Sequence, residues 1–492
     1  MNILLIYPEF PDTFWSFKHA LEFVRKRAAL PPLGLLTVAA LLPREWSQRL
    51  VDTNARALTK KDLAWADLVF ISAMVVQRAS ARRIIAQCKE AGRKVVAGGP
   101  LFNAEHNEFP DVDHFILNEA ELTLPDFLKD LAQGRPRRIY SSTAFADLRR
   151  TPAPRWELLN LSHYVCMSIQ FSRGCPFECD FCNITALLGH RVRIKTSRQI
   201  IAELDSLYAQ GWHSDVFFVD DNFIGNRHFL KTDLLPALIR WRKAKKGIVF
   251  NTETSLNLVE DQTLMEMMVA AGFTKVFIGI ETPAEEGLAE CGKHQNKNRN
   301  MVEDVKRIQR AGLQVQGGFI VGFDSDQPSI FKRQIEFIQK SGIVTAMVGL
   351  LQAPPGTRLY ERLKKEGRLR GASSGDNADG TTNIIPAMNL EALREGYKEI
   401  LQHIYSPEHY YKRIRTFLRE YKTPKVRQPF RFSHIFVLLR SSYRLGILGR
   451  ERLQYWKLIF WTQFRRPRLF AEAVTLAIYG YHFRKIFKRH VL

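Results

Sequence analysis

Phe171-Ser172-Arg173-Gly174-Cys175-Pro176-Phe177-Glu178-Cys179-Asp180-Phe181-Cys182 gathers three of the chain's six cysteines into eight positions, directly after an apolar run at 165–171. Three thiolates can hold three irons of a 4Fe–4S cubane and leave the fourth iron open. A ferredoxin-type electron carrier would call for four cysteines. A structural zinc also wants four ligands, commonly in paired spacings. The nearest further candidate, His190, lies eight positions past Cys182 in a basic segment. Cys88, Cys166 and Cys291 are scattered, and Cys166 and Cys291 read as packed thiols. That distribution is no disulfide framework. It suits a reducing cytosol and one metal site.

Outward from the cysteines, apolar runs at 165–171, 216–219, 248–252, 276–280, 318–321 and 345–350 alternate with helical stretches such as 197–210, 261–271 and 299–311. Six β/α units without a seventh predict an incomplete parallel barrel. Active groups of such barrels gather at the carboxyl ends of the strands. The cysteine loop leaves the first strand there. So do Val219-Asp220-Asp221-Asn222-Phe223, Thr252-Glu253-Thr254, Gly279-Ile280-Glu281-Thr282 and Gly317-Gly318-Phe319-Ile320-Val321-Gly322. One of Asp220 and Asp221 is expected to cap the next helix. Glu253 and Glu281 read equally as ligand-binding groups or as members of ion pairs, and the glycines as close approach or tight packing.

The first 145 residues show the same alternation, with strands at 2–7, 49–52, 68–72, 94–97 and 114–117 and a helix over 80–91. This predicts an open parallel sheet with its ligand edge at Tyr7-Pro8, Asp52, Ser72-Ala73, Gly98-Gly99-Pro100 and Asn118-Glu119-Ala120-Glu121. Thr151-Pro152-Ala153-Pro154-Arg155-Trp156 reads as an extended linker. Residues 370–383 read as a loop, 390–421 as helix, and the chain from about 434 as amphipathic helices. Expected domains are therefore 1–145, 151–365 and 385–492. The fold class is α/β: an open Rossmann-like sheet, a partial (β/α)6 barrel of the TIM type, and a mainly helical C-terminal domain.

The net charge of +22 is unevenly placed. Residues 425–492 hold 15 Lys/Arg against Glu451 and Glu472, a surplus of +13, which leaves +9 for all the rest. A basic tail points to a local partner rather than to nucleic acid. The N-terminus lacks the basic region and cleavage site of a signal peptide, and the apolar stretch 469–483 contains Glu472 and is short for a membrane span.

Cys-x-x-x-Cys-x-aromatic-Cys after a strand, in a six-unit β/α barrel, resembles the radical SAM superfamily over about 165–351. The resemblance implies that Cys175, Cys179 and Cys182 bind the cluster and that its open iron chelates S-adenosylmethionine. It places Phe181 by the adenine, Asp221 and Asn222 near the methionyl amine, Glu253 and Glu281 among the ligand-facing groups, and Gly317 and Gly318 beside the adenine. An open α/β domain in front resembles the cobalamin-binding branch. Pro31-Pro32-Leu33-Gly34, Ser72-Ala73 and Gly98-Gly99-Pro100 match recurring positions there, implying cobalamin contacts at Ser72, Gly98 and Gly99. The Asp-x-His-x-x-Gly signature that ligates cobalt is replaced by Asp52-Thr53-Asn54-Ala55-Arg56-Ala57, and Asn118 stands where these proteins commonly carry glycine. The tail resembles that of the subgroup containing hopanoid C-methylases and other lipid- or tetrapyrrole-modifying members.

The resemblance implies a C-methyltransferase acting on an unactivated carbon of a hydrophobic lipid, isoprenoid or tetrapyrrole substrate. It would work with an external one-electron donor, flavodoxin or ferredoxin. Ring closure, coupling or rearrangement on the same cofactors is the runner-up. An RNA-modifying methylthiotransferase would carry a second cysteine set in front and a basic β-barrel behind, and neither is visible. A non-enzymatic binding protein sits poorly with an intact triad. No side chain stands out as a proton donor. The expected location is the cytoplasm. Trp456-Lys457-Leu458-Ile459-Phe460-Trp461 and the arginines after it read equally as peripheral contact with the inner face of the membrane or as a helical domain packed on the barrel.

Overall fold

Ile3, Leu4, Leu5 and Ile6 are all fully buried, so the strand they form, β1 (Asn2–Tyr7), is covered on both faces. It is the second strand of a parallel six-stranded sheet of order β2-β1-β3-β4-β5-β6, with β2 (Ser47–Asp52), β3 (Leu68–Ser72), β4 (Lys94–Gly98), β5 (His114–Ile116) and β6 (Ile139–Tyr140). One core, around Val69, Ile84, Phe102 and Phe115, lies on one face. The other, around Leu35, Phe70 and Phe127, lies on the opposite face. The computed structural model describes residues 1–423 and 432–490, apart from the side chain of His490. The basic positions Lys425, Arg427 and Arg431 of the tail, and Val491 and Leu492, lie outside the described residues.

The chain forms two compact units. The first comprises Met1–Pro11, Lys26–Gly174 and Ile184–Trp212. Besides the sheet it holds the short strand β7 (Met167–Ile169) and an antiparallel pair, β8 (Ser172–Arg173) with β9 (Arg193–Ile194). The second comprises Asp12–Arg25, Cys175–Asn183 and His213–Leu492.

In the second unit β10 (Val216–Phe218), β11 (Phe250–Thr254), β12 (Phe273–Glu281), β13 (Gln314–Val321) and β14 (Ala346–Leu350) pair in parallel in that order. Among the described residues the sheet stays open rather than closing into a barrel. The strand expected at 248–252 begins two residues later. Ile248 and Val249 are buried, but pairing starts at Phe250, opposite Val216 and Phe273. An apolar run marks burial, and the ladder need not begin where burial does. The stretch expected to be helical over 390–421 is helical and comprises two helices, Leu390–Tyr405 and Pro407–Glu420. Pro407 has no N–H to give and its ring clashes with the preceding turn, so Ser406 ends one helix and starts the next.

The helix Phe470–His490 is part of the core. Phe483 stacks on Phe14 at 4.2 Å, and the Tyr410 hydroxyl donates to the Leu476 carbonyl at 2.8 Å. Gly480 passes so close to Tyr410 that a Cβ there would lie 2.3 Å from its ring. No helix among the described residues is long and apolar enough to cross a membrane.

Candidate functional site

The three cysteines stand on one loop of the second unit. None is in a disulfide, and all are partly exposed. The loop is held from two sides: the Asp180 amide donates to the Cys291 carbonyl, and the Leu359 amide to the Asp180 carbonyl, both at 3.0 Å. A turn bond from the Cys182 amide to the Cys179 carbonyl, 3.1 Å, links the last two cysteines. Gly292, at φ +69, permits the approach of the neighbouring chain, since a Cβ would stand 3.0 Å from the Glu178 carbonyl oxygen. Burial pushes the thiols of Cys175 and Cys179 up, and the Lys293 ammonium pulls both back toward thiolate. Cys291 is buried, its thiol pushed up to about 12 by burial, which leaves it a packed thiol. Among the described residues no three His, Cys, Asp or Glu side chains converge on a single ion. A cubane makes a different demand, one thiolate per iron, and three accessible thiols on one pinned loop suit it.

Two strand ends beside this loop carry acids. Asp220 and Asn222, just past β10, are buried, and Glu253 is on β11. The Glu253 carboxyl is pushed up to about 8, chiefly by burial and further by the carboxylates of Asp221 and Asp220. Neither aspartate holds the cap position of the following turn. Asn222 does, and its side chain makes no capping bond. Its Oδ1 is buried and accepts no hydrogen bond among the described residues. A buried acceptor without a donor costs about 1–3 kcal/mol, and crowded carboxylates repel. An ammonium group would relieve both, bringing positive charge and three donors.

Glu281 behaves differently. It ends β12 in the left-handed region, φ +66, where the ladder to β13 slips. Its Oε1 accepts from Lys293 Nζ at 2.5 Å. Gly279 makes the room: a Cβ there would stand 2.3 Å from that oxygen and 2.6 Å from Nζ. Asn296 Nδ2 ties the loop down by donating to the Gly279 and Ile280 carbonyls at 3.1 and 3.2 Å. Of the two strand-end glutamates, Glu281 is committed to an ion pair, and Glu253 faces other acids. Lys293 and Asn296 lie in no motif, and no sequence signal singles them out.

Gly317 and Gly318 answer to the protein's own side chains. A Cβ on Gly317 would come within 2.8 Å of Phe319, and one on Gly318 within 2.9 Å of Phe277. Phe181 is half-buried and packs on the cluster of Phe323, Leu351, Ala353 and Ile384.

In the first unit, Ser72 and Gly98 are register partners on β3 and β4, and Gly99 follows at φ +92, ψ 178. A Cβ on Gly99 would lie 2.6 Å from Ser72 Oγ, and one on Gly98 2.7 Å from the Ile116 carbonyl oxygen. The sequence-derived trio is thus brought together at the carboxyl edge of the sheet. Along that edge Asp52 is buried and accepts from the Tyr164 hydroxyl at 2.9 Å. Burial pushes its carboxyl up. Asn54, at the position of the missing histidine, accepts from the Phe10 amide at 2.8 Å and donates to the Pro8 carbonyl at 3.1 Å and to Asp52 at 2.7 Å. Its amide is fully engaged in the loop. Asn118 adopts φ +63, a conformation that asparagine tolerates better than most residues, which explains how it replaces glycine. Next to it Glu119 and Glu121 meet Arg173, and Glu119 also meets Arg193, all at 2.8 Å. Burial pushes Glu121 up, but the Arg173 guanidinium outweighs it and holds the carboxyl below its usual range.

A radical SAM superfamily profile matches residues 169–351, a B12 binding domain profile matches 27–128, and a domain of unknown function (DUF4070) matches 357–491. The chain is 41% identical to an uncharacterised methyltransferase of Synechocystis sp., over 98% of this chain and 91% of that protein. It is 35% identical to the hopanoid C-2 methylase of Rhodopseudomonas palustris, over 93% of this chain and 88% of that protein. The chain belongs to the B12-binding radical SAM family. As a member of it, the chain is an enzyme whose cofactors are a 4Fe–4S cluster, S-adenosylmethionine and cobalamin. Among solved structures, the cobalamin-dependent radical enzyme OxsB with aqua-cobalamin bound is similar at a TM-score of 0.65 and 13% identity, over 99% of this chain and 80% of that one. The methyltransferase TsrM of Kitasatospora setae with cobalamin and its 4Fe–4S cluster is similar at 0.61 and 15% identity, over 90% and 98%. At that identity the likeness speaks for the fold alone, and it agrees with the parallel sheets of this radical SAM enzyme.

Proposed function

We propose that this enzyme transfers a methyl group to an unactivated sp³ carbon of a hydrophobic small molecule of the lipid, isoprenoid or tetrapyrrole class. The observation that carries it is the kinship, over nearly the whole chain, with an enzyme named for methylating a hopanoid. When bound, the reduced cluster supplies the electron that splits S-adenosylmethionine into methionine and a 5′-deoxyadenosyl radical, and cobalamin carries the methyl group to be transferred.

The chain's own residues bind, orient and exclude water. Cys175, Cys179 and Cys182 hold the cluster. Glu253, Asp221 and Asn222 receive the methionyl amine of S-adenosylmethionine, whose N–H donors suit an acid-crowded pocket with a spare acceptor. Glu281 positions the Lys293 ammonium toward Cys179. Phe181, Gly317 and Gly318 border the adenine. Ser72, Gly98 and Gly99 take cobalamin at the sheet edge, and with Asn54 engaged in its own loop the chain offers the cobalt no imidazole there. Domains at 1–145, 151–365 and 385–492 divide the work into cobalamin binding, radical formation and a helical part. A flavodoxin or ferredoxin supplies the electron, no nucleic acid is involved, and a water-insoluble substrate is met at the inner face of the membrane.

Anaerobic turnover of the reconstituted enzyme with candidate substrates tests this. Methylated product should appear with 5′-deoxyadenosine and S-adenosylhomocysteine. Deoxyadenosine and altered substrate without S-adenosylhomocysteine would refute methyl transfer.

A further inference from the structure

An amphipathic helix in a globular protein normally turns its apolar stripe to the core. The helix Phe432–Ser441 is inverted. Phe432, Ile435, Phe436 and Leu439 recur at helical spacing and are all exposed, Phe432 to 82%. Tyr443 and Ile447 continue the exposed stripe through the π-helical segment Ser442–Ile447. On the inner side, polar groups stand beside the half-buried Val437 and Leu438. Arg440 donates to the Phe23 carbonyl at 2.6 Å, Ser441 is buried against the Tyr455 hydroxyl at 2.9 Å, and Arg444 pairs with Glu22.

The next helix, Arg452–Arg465, exposes Leu453, Phe460 and Phe464, the last to 81%. Trp456 joins the two helices: its Nε1 donates to the Gly446 carbonyl at 3.0 Å and its ring stacks on Phe460. Arg450, Arg452, Lys457, Arg465 and Arg468 are exposed on this stretch and form no ion pair among the described residues. Glu451, the one acid between 432 and 469, is buried and paired with Arg484. Protruding apolar side chains interleaved with unpaired cations match the acyl–headgroup boundary of an anionic bilayer. A second copy would set the same cations against one another. No helix among the described residues can cross the bilayer, so this surface would lie on it.

We propose that the helices Phe432–Ser441 and Arg452–Arg465 form the surface by which the enzyme docks on an anionic lipid bilayer. This rests on the hydrophobic-substrate reading above and names the surface through which it would operate.

The test is flotation of anaerobically reconstituted holoenzyme with phosphatidylcholine vesicles, with and without phosphatidylglycerol. Wild-type protein should float only with the anionic vesicles, less so at high salt. F436D/L439D should lose most of the bound fraction. R450E/R452E/K457E should lose roughly fivefold in partitioning for each cation removed. All of these residues are exposed, so both variants should keep the wild-type melting temperature, iron content and 5′-deoxyadenosine formation. Absent wild-type flotation, or flotation that neither variant lowers, overturns the proposal. So does an apolar variant that turns an oligomer into a monomer and still floats, since the face would then cover a second copy. Flotation lost as expected in an enzyme that methylates no hydrophobic substrate, even one dispersed in detergent, would sink the methylation reading and leave the docking surface supported.

Discussion

Cys179 lies where loop and charge meet: its thiol is raised by burial and pulled down by Lys293. If it binds an iron, Cys179→Ala should reduce iron after anaerobic reconstitution to a small fraction of wild type and abolish 5′-deoxyadenosine formation. Iron analysis and product chromatography check this. Glu253 makes a second prediction, with a sign. Its carboxyl is raised from 4.5 to about 8, so between those values the folded protein holds a proton that the unfolded chain has released. Its contribution to the stability of the cofactor-free protein therefore falls as pH rises from about 5 and levels off above about 8. Glu253→Gln should flatten that fall, raising the melting temperature near pH 8 by roughly 1–2 °C for each kcal/mol recovered. S-adenosylmethionine should show the opposite trend. An ionised Glu253 accepts more strongly from the methionyl amine, which must itself be unprotonated to reach the iron, so affinity should rise with pH toward about 8, more steeply in the wild type than in the variant. Calorimetry across pH checks both.

At the scale of elements, the turn after β4 depends on backbone conformation. Gly99 occupies φ +92, ψ 178, a region essentially reserved for glycine, and its missing Cβ leaves room for Ser72 Oγ. Gly99→Ala should cost roughly 1–3 kcal/mol by denaturant unfolding and weaken cobalamin retention with it. Asn118 is the contrasting case. Asn118→Gly removes a side-chain bond to the Ser142 carbonyl and relieves the positive φ, so it should be near neutral. Asn118→Val keeps the strain and loses the bond, and should cost roughly 1–2 kcal/mol more than glycine. The helix pair around Ser406-Pro407 was open to sequence reading, because proline breaks a helix for a local reason. The start of β11 was not, because it depends on Val216 and Phe273, which lie elsewhere in the chain.

At the scale of the molecule, the basic tail separates into two kinds of helix. Phe470–His490 is core, carrying Phe483 against Phe14 and Gly480 against Tyr410. Deleting it should expose these rings, and the truncated chain should come out largely insoluble. Composition alone does not distinguish that helix from the inverted one ahead of it, since both mix aromatics with cations. Only packing shows which apolar side chains find partners.

The amino-acid order by itself determined what is local: three thiols at a spacing that one loop can present, the β/α alternation, the strand-end glycines and acids, and the surplus of charge behind residue 424. Those follow from short-range sterics and from counting. The tertiary structure alone decided the rest. It set Lys293 beside Glu281 and near Cys179, left Glu253 among carboxylates while pairing Glu281, and engaged Asn54 in its own loop. It also turned the stripe of Phe432 and Phe436 outward. Each outcome depends on which distant residue is packed alongside, and burial and Coulombic interaction act through space without regard to position along the chain.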